Sequence, residues 1–443
     1  MPLHIRWFFA LIASLLAGGC GDVATPGWLP AERLEFSTHG DARGTRLAFN
    51  REGLGMVVWE QRSLNGHGRI HARAVDIGGA HGTIATLGEG STSLNFPDVA
   101  INKPGRTVAV WIQGDGPRAQ VWARTHQGAS GWGPEQRVSG LAAHPTARPR
   151  AAINDAGEIA VVWMQLGAGA PRVYGRHFHP TRGWGSPMRI DQSQRGAALP
   201  QVSLDDQGRW LATWHQNNPS GALEVWARQI DIGMDSDTTS PATQPHMISD
   251  GLGALSALTR LGDGSTAAVW QLNAGQTGAI RFNRFQREAG WGQPLTVANT
   301  HHALAHDPTV AAWGTEHAVV AWMQTEGDRI EVWAAQLMGG QPGTPHRMQH
   351  TQPGAQRQAR IGAADHGNAV VMWTHQTGAA RTLWASGWPS GGAPGEAEQL
   401  DNSELSAVAE SALGVDARGH ALAVWTQGEE GRARLWIRRF HTR

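Results

Sequence analysis

Arginines, carboxylates and histidines are the residues of this chain whose chemistry depends most on which of them meet. When eight similar segments are aligned on a recurrent turn, Arg46, Asp98, Arg150, Gln201, Ala257, Thr309, Arg360 and Ala412 take one equivalent position. A level above them come Asp307 and Glu410, beside Arg148 and Gln358. A guanidinium forks a carboxylate with two parallel hydrogen bonds, so three arginines spaced around one axis would clamp an anionic ligand. The same residues can instead form mutually satisfied ion pairs that line a wet channel. The run His301-His302-Ala303-Leu304-Ala305-His306-Asp307 is the densest histidine cluster. Zinc or copper accepts such ligands, but a loop without a helix or hairpin to orient them is unspecific. It reads as a polar loop, and no metal or cofactor is expected. No nucleophile with its base, and no carboxylate pair, can be made out.

These residues need a scaffold that repeats, and the chain supplies one. Trp59, Trp111, Trp163, Trp214, Trp270, Trp322, Trp373 and Trp425 stand 51 or 52 residues apart, with one interval of 56. Each closes an apolar run such as MVVW, VAVW or LAVW. Six residues earlier comes a Gly in seven units, Glu316 being the exception, and Asn50, Asn102, Asn154, Asp205 and Asp416 precede that Gly by three. A side-chain acceptor opening a turn that ends on Gly is hairpin chemistry, so two strands meet there. A third strand follows (Val121-Trp122-Ala123-Arg124, Val225-Trp226-Ala227-Arg228), and Gly-Trp-Gly at Trp132, Trp184 and Trp291 announces a fourth. One such sheet buries neither face until it is stacked on neighbours. The expected fold is therefore all-β, an eight-bladed β-propeller with four antiparallel strands per blade. Gly27-Trp28-Leu29-Pro30 resembles the fourth-strand Gly131-Trp132-Gly133-Pro134, while the chain stops after a third strand. The N-terminal strand, residues 28–36, should therefore complete the last blade, and the propeller should span residues 28–443.

The recurrent Trp residues read as inter-blade packing, as do Trp122, Trp226, Trp333, Trp384 and Trp436 of the third strands. The Gln two places on, as in Gln61 and Gln113, reads as scaffold that satisfies backbone groups. Tyr174, the single Tyr, takes a third-strand Trp position. Lys plus Arg and Asp plus Glu are both 37, so no basic surface stands ready for nucleic acid.

The first residues carry an address. Trp7 to Ala17 is an apolar run too short to span a bilayer and fits the core of a secretory signal. Leu16-Ala17-Gly18-Gly19-Cys20-Gly21-Asp22 holds the only Cys and resembles a bacterial lipoprotein signal, with Ala17 where that family most often has Leu. The resemblance implies removal of residues 1–19, lipidation of Cys20, a linker over 20–27 and, with Gly21 after the Cys, the outer membrane of a Gram-negative bacterium. Membrane contact would then run through the lipid alone, and the expected state is a monomer.

Catalytic propeller templates fit poorly. The Ser-x-Asp-x-Gly-x-Thr-Trp boxes of sialidase-like propellers do not occur, and neither does Cys-x-x-Cys-His for covalent haem. The repeat resembles that of uncharacterised secreted bacterial propeller proteins with Gly-x-Ala-x-Ala-Val-Trp blades, a family that implies no particular activity. Two functions stay open at the channel mouth, where blades differ while geometry converges. One is a non-catalytic binding scaffold for an envelope protein or anionic glycan, using Arg46, Asp98, Arg150, Gln201, Asp307, Arg360 and Glu410. The other is a carbohydrate-active enzyme, a polysaccharide lyase or glycoside hydrolase, at the same mouth.

Overall fold

A computed structural model describes residues 27–442 apart from 36–39, 64–67, 91–92, 141–147, 167–168, 232–243, 275–276, 301–302, 349–353, 402–406 and 429–431. Cys20 and the signal-like segment lie outside the described residues. Each blade is an antiparallel sheet, built in chain order in all but the last; blade 1, for example, consists of Asp41–Phe49, Leu54–Arg62, Gly68–Asp76 and Ala85–Glu89. The first strands of the eight blades are Asp41–Phe49, Leu94–Ile101, Arg150–Ile153, Ala197–Leu204, Gly253–Arg260, Leu304–Trp313, Ala355–Ala363 and Val408–Val415. Each touches the next, and the last touches the first, so they ring a central channel. The protein is an eight-bladed β-propeller.

The continuous apolar runs are explained by their place in the blade. A second strand has a neighbouring blade on either side, so it is buried on both faces and cannot alternate apolar with polar residues. Its Trp seats on the preceding blade in every case: Trp111 packs with Met56, Val58 and Ile70 of blade 1, and Trp59 with Leu422, Val424 and Leu435 of blade 8. All eight rings are at most 1% exposed. Burying an indole removes about 150–250 Å² from water, worth about 4–6 kcal/mol before entropy is counted. Eight such contacts hold the stack. Tyr174 stacks on Trp163 at 6.2 Å, so its Trp-equivalent position is filled for packing.

The turns follow the expected chemistry and add a second role. Asn50 Oδ1 accepts the backbone N–H groups of Glu52 and Leu54, and Gly53 takes φ +83°. The Asn50 amide also donates to the carbonyl of Asn102, Asn102 to that of Asn154, and Asn154 to that of Asp205. One side chain thus shapes its own turn and clasps the next blade. The Gln residues differ from expectation: their Oε1 atoms accept the indole N–H rather than backbone groups, as in Trp163 to Gln165 at 2.9 Å and Trp425 to Gln427 at 3.0 Å. An indole N–H buried at a blade interface needs an acceptor, and the residue two places on shares its face.

The last blade takes its outer strand from the other end of the described chain. Trp28 pairs with Phe440, and Glu32 and Arg33 pair with Ile437 and Trp436. The fully buried Leu34 donates its N–H to the Leu435 carbonyl at 2.8 Å and joins the cluster around Trp59. Arg438 donates to the Leu29 carbonyl. Deleting residues 28–36 is therefore expected to unfold the ring in one transition at lower temperature, read by circular dichroism. A variant that melts like the parent would contradict closure.

Burial pushes two imidazoles, His177 and His215, down to about 4. In the unfolded chain each titrates near 6.5, so on acidification the unfolded state takes up protons first. Stability from these groups is complete above about pH 6.5 and drains away as pH falls towards 4, by up to a few kcal/mol in all. The urea midpoint should fall between pH 7 and pH 5, and replacing both residues by Gln should flatten that slope; an unchanged slope would show that other groups set it.

Candidate functional site

A recurrent break in the first strand builds the channel mouth. Pro97, Pro149, Pro200 and Pro308 stand directly before the aligned positions Asp98, Arg150, Gln201 and Thr309. Proline has no N–H to donate to a ladder, and within sheets it belongs at bulges. In blades 2, 4 and 6 the pairing register shifts across that Pro, between Asn95 and Asp98, Ala198 and Gln201, and His306 and Thr309. The residue at the head of the bulge is left-handed: Phe96 at φ 56°, Leu199 at 50°, Asp307 at 51°, Gln358 at 55°, with Gly44 at 63° in blade 1. Holding a residue with a Cβ there costs about 1–2 kcal/mol each. Such strain, repeated at one rim, is what a built site tends to carry.

Beyond the bulge the aligned residues stand level. Arg46, Asp98, Arg150, Gln201 and Arg360 pair with Val58, Val110, Val162, Thr213 and Met372, each one place before its buried Trp. The level set expected from the repeat is therefore present. It divides into two groups. Arg150, Gln201, Asp307 and Arg360 line one cavity of about 540 Å³, together with Arg357, Gln358 and His306. Met323 and Ile330 supply an apolar wall. Arg46, Asp98 and Glu410 do not line it.

The reason for the division is where the carboxylates are spent. Asp98 accepts the Ala151 N–H at 3.1 Å and meets Arg150 at 3.3 Å, tying blade 2 to blade 3. Glu410 accepts the Thr45 N–H at 2.8 Å, tying blade 8 to blade 1. Arg46 donates to the Thr45 carbonyl at 2.8 Å, and Arg360 to the Ser411 and Ala359 carbonyls at 3.2 and 2.9 Å. Burial, with Arg150 and Arg148 nearby, pushes the Arg46 guanidinium down to about 10 against the pull of Asp98, and it stays cationic at neutral pH. Arg360 is likewise lowered, by burial first and then by Arg150. Arg148 lies over the Phe96 ring at 5.7 Å. Arg150 with Asp98 is thus an ion pair, whereas Arg46, Arg357 and Arg360 have no ion-pair partner among the described residues, so the ring is not a closed set of salt bridges.

His306 stands inside the strand Leu304–Trp313 rather than in a loop. One ring nitrogen faces the Asp307 carboxylate and the other the Thr325 hydroxyl, both at 3.0 Å. His301 and His302 lie outside the described residues. Reading the sequence placed Asp307 at the mouth but missed Arg357 and the contact of His306 with Asp307; the four prolines at one repeat position were the signal for the bulge there.

Three features recur together in blades 8, 1, 2, 3 and 4. They are the turn Asn or Asp, the Trp-to-Gln bond, and a third-strand Arg whose guanidinium reaches a fourth-strand carbonyl of the preceding blade, as Arg176 does to Val138 and Arg228 to Ile190. In blades 5–7 Leu261, Trp313 and Ala364 take the turn position, and Asn283, Ala335 and Ser386 replace the Arg. The indole N–H groups of Trp270, Trp322 and Trp373 find no partner among the described residues. The cavity opens largely on this less clamped arc.

No protein-family model matches the chain, and no curated protein matches its sequence. Among solved structures it is similar to an ulvan lyase of polysaccharide lyase family PL25 bound to -[GlcA(1-4)Rha3S]-, at 12% identity and a TM-score of 0.49, covering 76% of this chain and 90% of that one. It is also similar to the β-propeller domain of the trilobed protease from Pyrococcus furiosus, at 7% identity and a TM-score of 0.47, covering 83% and 99%. The NanB sialidase from Streptococcus pneumoniae follows at 7% identity and a TM-score of 0.42, covering 88% and 83%. Likeness at this level is one of propeller fold, and no activity passes with it.

Proposed function

We propose that this protein is exported, anchored to the cell envelope through Cys20, and binds an anionic glycan at the channel mouth without turning it over. The observation that carries the reading is the charge left over at the 540 Å³ cavity: among the described residues, Arg357 and Arg360 line it without an ion-pair partner, Arg150 lines it while paired with Asp98, and Asp307 is the one carboxylate that lines it. Its volume lies within the range of about 300–1,000 Å³ typical of small-ligand sites. A carboxylate or sulfate on a sugar would give the unpaired guanidinium groups charge-assisted partners. The apolar wall of Met323 and Ile330 suits a sugar face.

One observation favours the second reading, a uronate lyase. His306, held between Asp307 and Thr325, stands beside arginines able to neutralise a uronate carboxylate, which is the pairing of base and charge acceptor that proton abstraction next to a carboxylate needs.

Replacing Arg150, Arg357 and Arg360 together by Gln should weaken binding of polygalacturonate or alginate, read by calorimetry, by a few kcal/mol, the scale of two or three charge-assisted bonds. Arg46→Gln, off the cavity, should weaken it much less. Equal affinity of the triple variant and the parent would contradict the site. Ultraviolet absorbance of unsaturated uronate that appears with the parent and disappears with His306→Ala would replace binding by catalysis. For the anchor, a fatty-acid analogue fed to cells should label the parent and not Cys20→Ser; an unlabelled parent would reverse that part.

A further inference from the structure

A second cavity, of about 290 Å³, lies between blades 5 and 6. Trp322 and Trp333 line it with Gln324, Asn299 and Thr300, and Glu326 stands at its exposed rim. Both rings pack on the apolar cluster that the two blades share, around Val269, Ile280 and Val297. Both indole N–H groups are buried and have no acceptor among the described residues. Trp322 is fully buried.

Blade 4 provides an internal control. There the equivalent indoles are satisfied by equivalent residues, Trp214 by Gln216 at 3.2 Å and Trp226 by Glu224 at 3.0 Å. Blade 6 keeps the same partners in sequence, Gln324 and Glu331, yet uses neither. Glu331 is engaged by Arg347 at 3.1 Å, and Gln324 lines the cavity without bonding Trp322. Leaving a buried donor unmet costs about 1–3 kcal/mol. Trp322 and Trp333 bring two such donors to the wall of one cavity, whose partly or fully exposed lining includes Trp333, Asn299, Thr300, Gln324 and Glu326.

We infer that this cavity is a second binding site, for the ring of one neutral sugar. The half-buried Trp333 supplies an apolar face for the ring. Amides of Asn299 and Gln324 and the Glu326 carboxylate supply acceptors for sugar hydroxyl protons, and the carboxylate disfavours an anionic sugar. The volume, just under that of typical drug-sized sites, suits a single ring. Gln324 and Met323 point to opposite faces of the blade 6 sheet, so this site and the channel-mouth cavity flank the same hairpin and are separate. The inference stands independently of the anionic-glycan reading.

The test is saturation-transfer NMR of the whole protein titrated with glucose, galactose, mannose, rhamnose and N-acetylglucosamine. At least one should give a saturable signal. Trp333→Phe, and separately the rim variant Glu326→Ala, should weaken it about fivefold or more, the scale of one hydrogen bond. Glu326 is exposed, so its variant should melt like the parent whether or not Trp333→Phe does. The Arg150, Arg357 and Arg360 triple variant should bind the sugar unchanged, which separates failure here from failure at the channel mouth. A parent that saturates with none of the five, or a Glu326→Ala protein with parental affinity, would overturn the site.

Discussion

Each blade depends on an indole lent by its neighbour. A four-stranded sheet whose second strand is apolar on both faces cannot be stable alone, and the ring exists because every second-strand Trp is buried against the preceding blade. That constraint fixes the period of the sequence, the two-sided apolar runs and the need for closure. An open stack would leave the last sheet with an unpaired edge and Trp59 without its seat. The short strands at Gly27–Trp28 and Glu32–Arg33 remove both problems, since Leu34 covers the same cluster that receives Trp59.

Stability and recognition are divided around the ring. The third-strand arginines of blades 8 and 1 to 4 and the turn amides of blades 1 to 3 run across blade boundaries and hold the arc, while each of these blades satisfies its own buried indole with its own Gln. Blades 5–7 give up these devices, and both cavities open there or at its border. Proteins commonly concentrate strain and unmet polar groups where they bind ligands and offset the cost elsewhere. Arg357 and Arg360, which have no ion-pair partner among the described residues, and the unmet indoles of Trp322 and Trp333 fall in this arc, whereas the left-handed rim residues are shared, Phe96 and Leu199 in the clamped arc and Asp307 and Gln358 in this one. The carboxylates Asp98 and Glu410 fall in the other, where backbone N–H groups claim them.

The fold was legible because a buried Trp every 52 residues or so has few explanations, and the level set of Arg46, Asp98, Arg150, Gln201 and Arg360 was legible because the turns share one register. What the repeat could not tell was which of these residues face free space. That depends on where each carboxylate finds an N–H donor, a matter of contacts between blades far apart in sequence. The bulge was written in four prolines at one position, but its consequence, a strand that carries His306 into the mouth beside the expected Asp307, needed the pairing register. The Gln residues carried a correct structural role with a different partner, because a side chain two places from a Trp shares its face and meets the indole first. The open indoles of blade 6 were invisible, since their sequence partners are the same as those satisfied in blade 4.

The claim that recognition is concentrated in the less clamped arc is tested most directly by hydrogen exchange with mass spectrometry, with and without a saturating acidic polysaccharide. Protection should rise in peptides covering the first strands of blades 6 and 7, Leu304–Trp313 and Ala355–Ala363, and stay unchanged in Asp41–Phe49 of blade 1. Protection spread evenly over all eight blades, or confined to blades 1 and 2, would contradict the account.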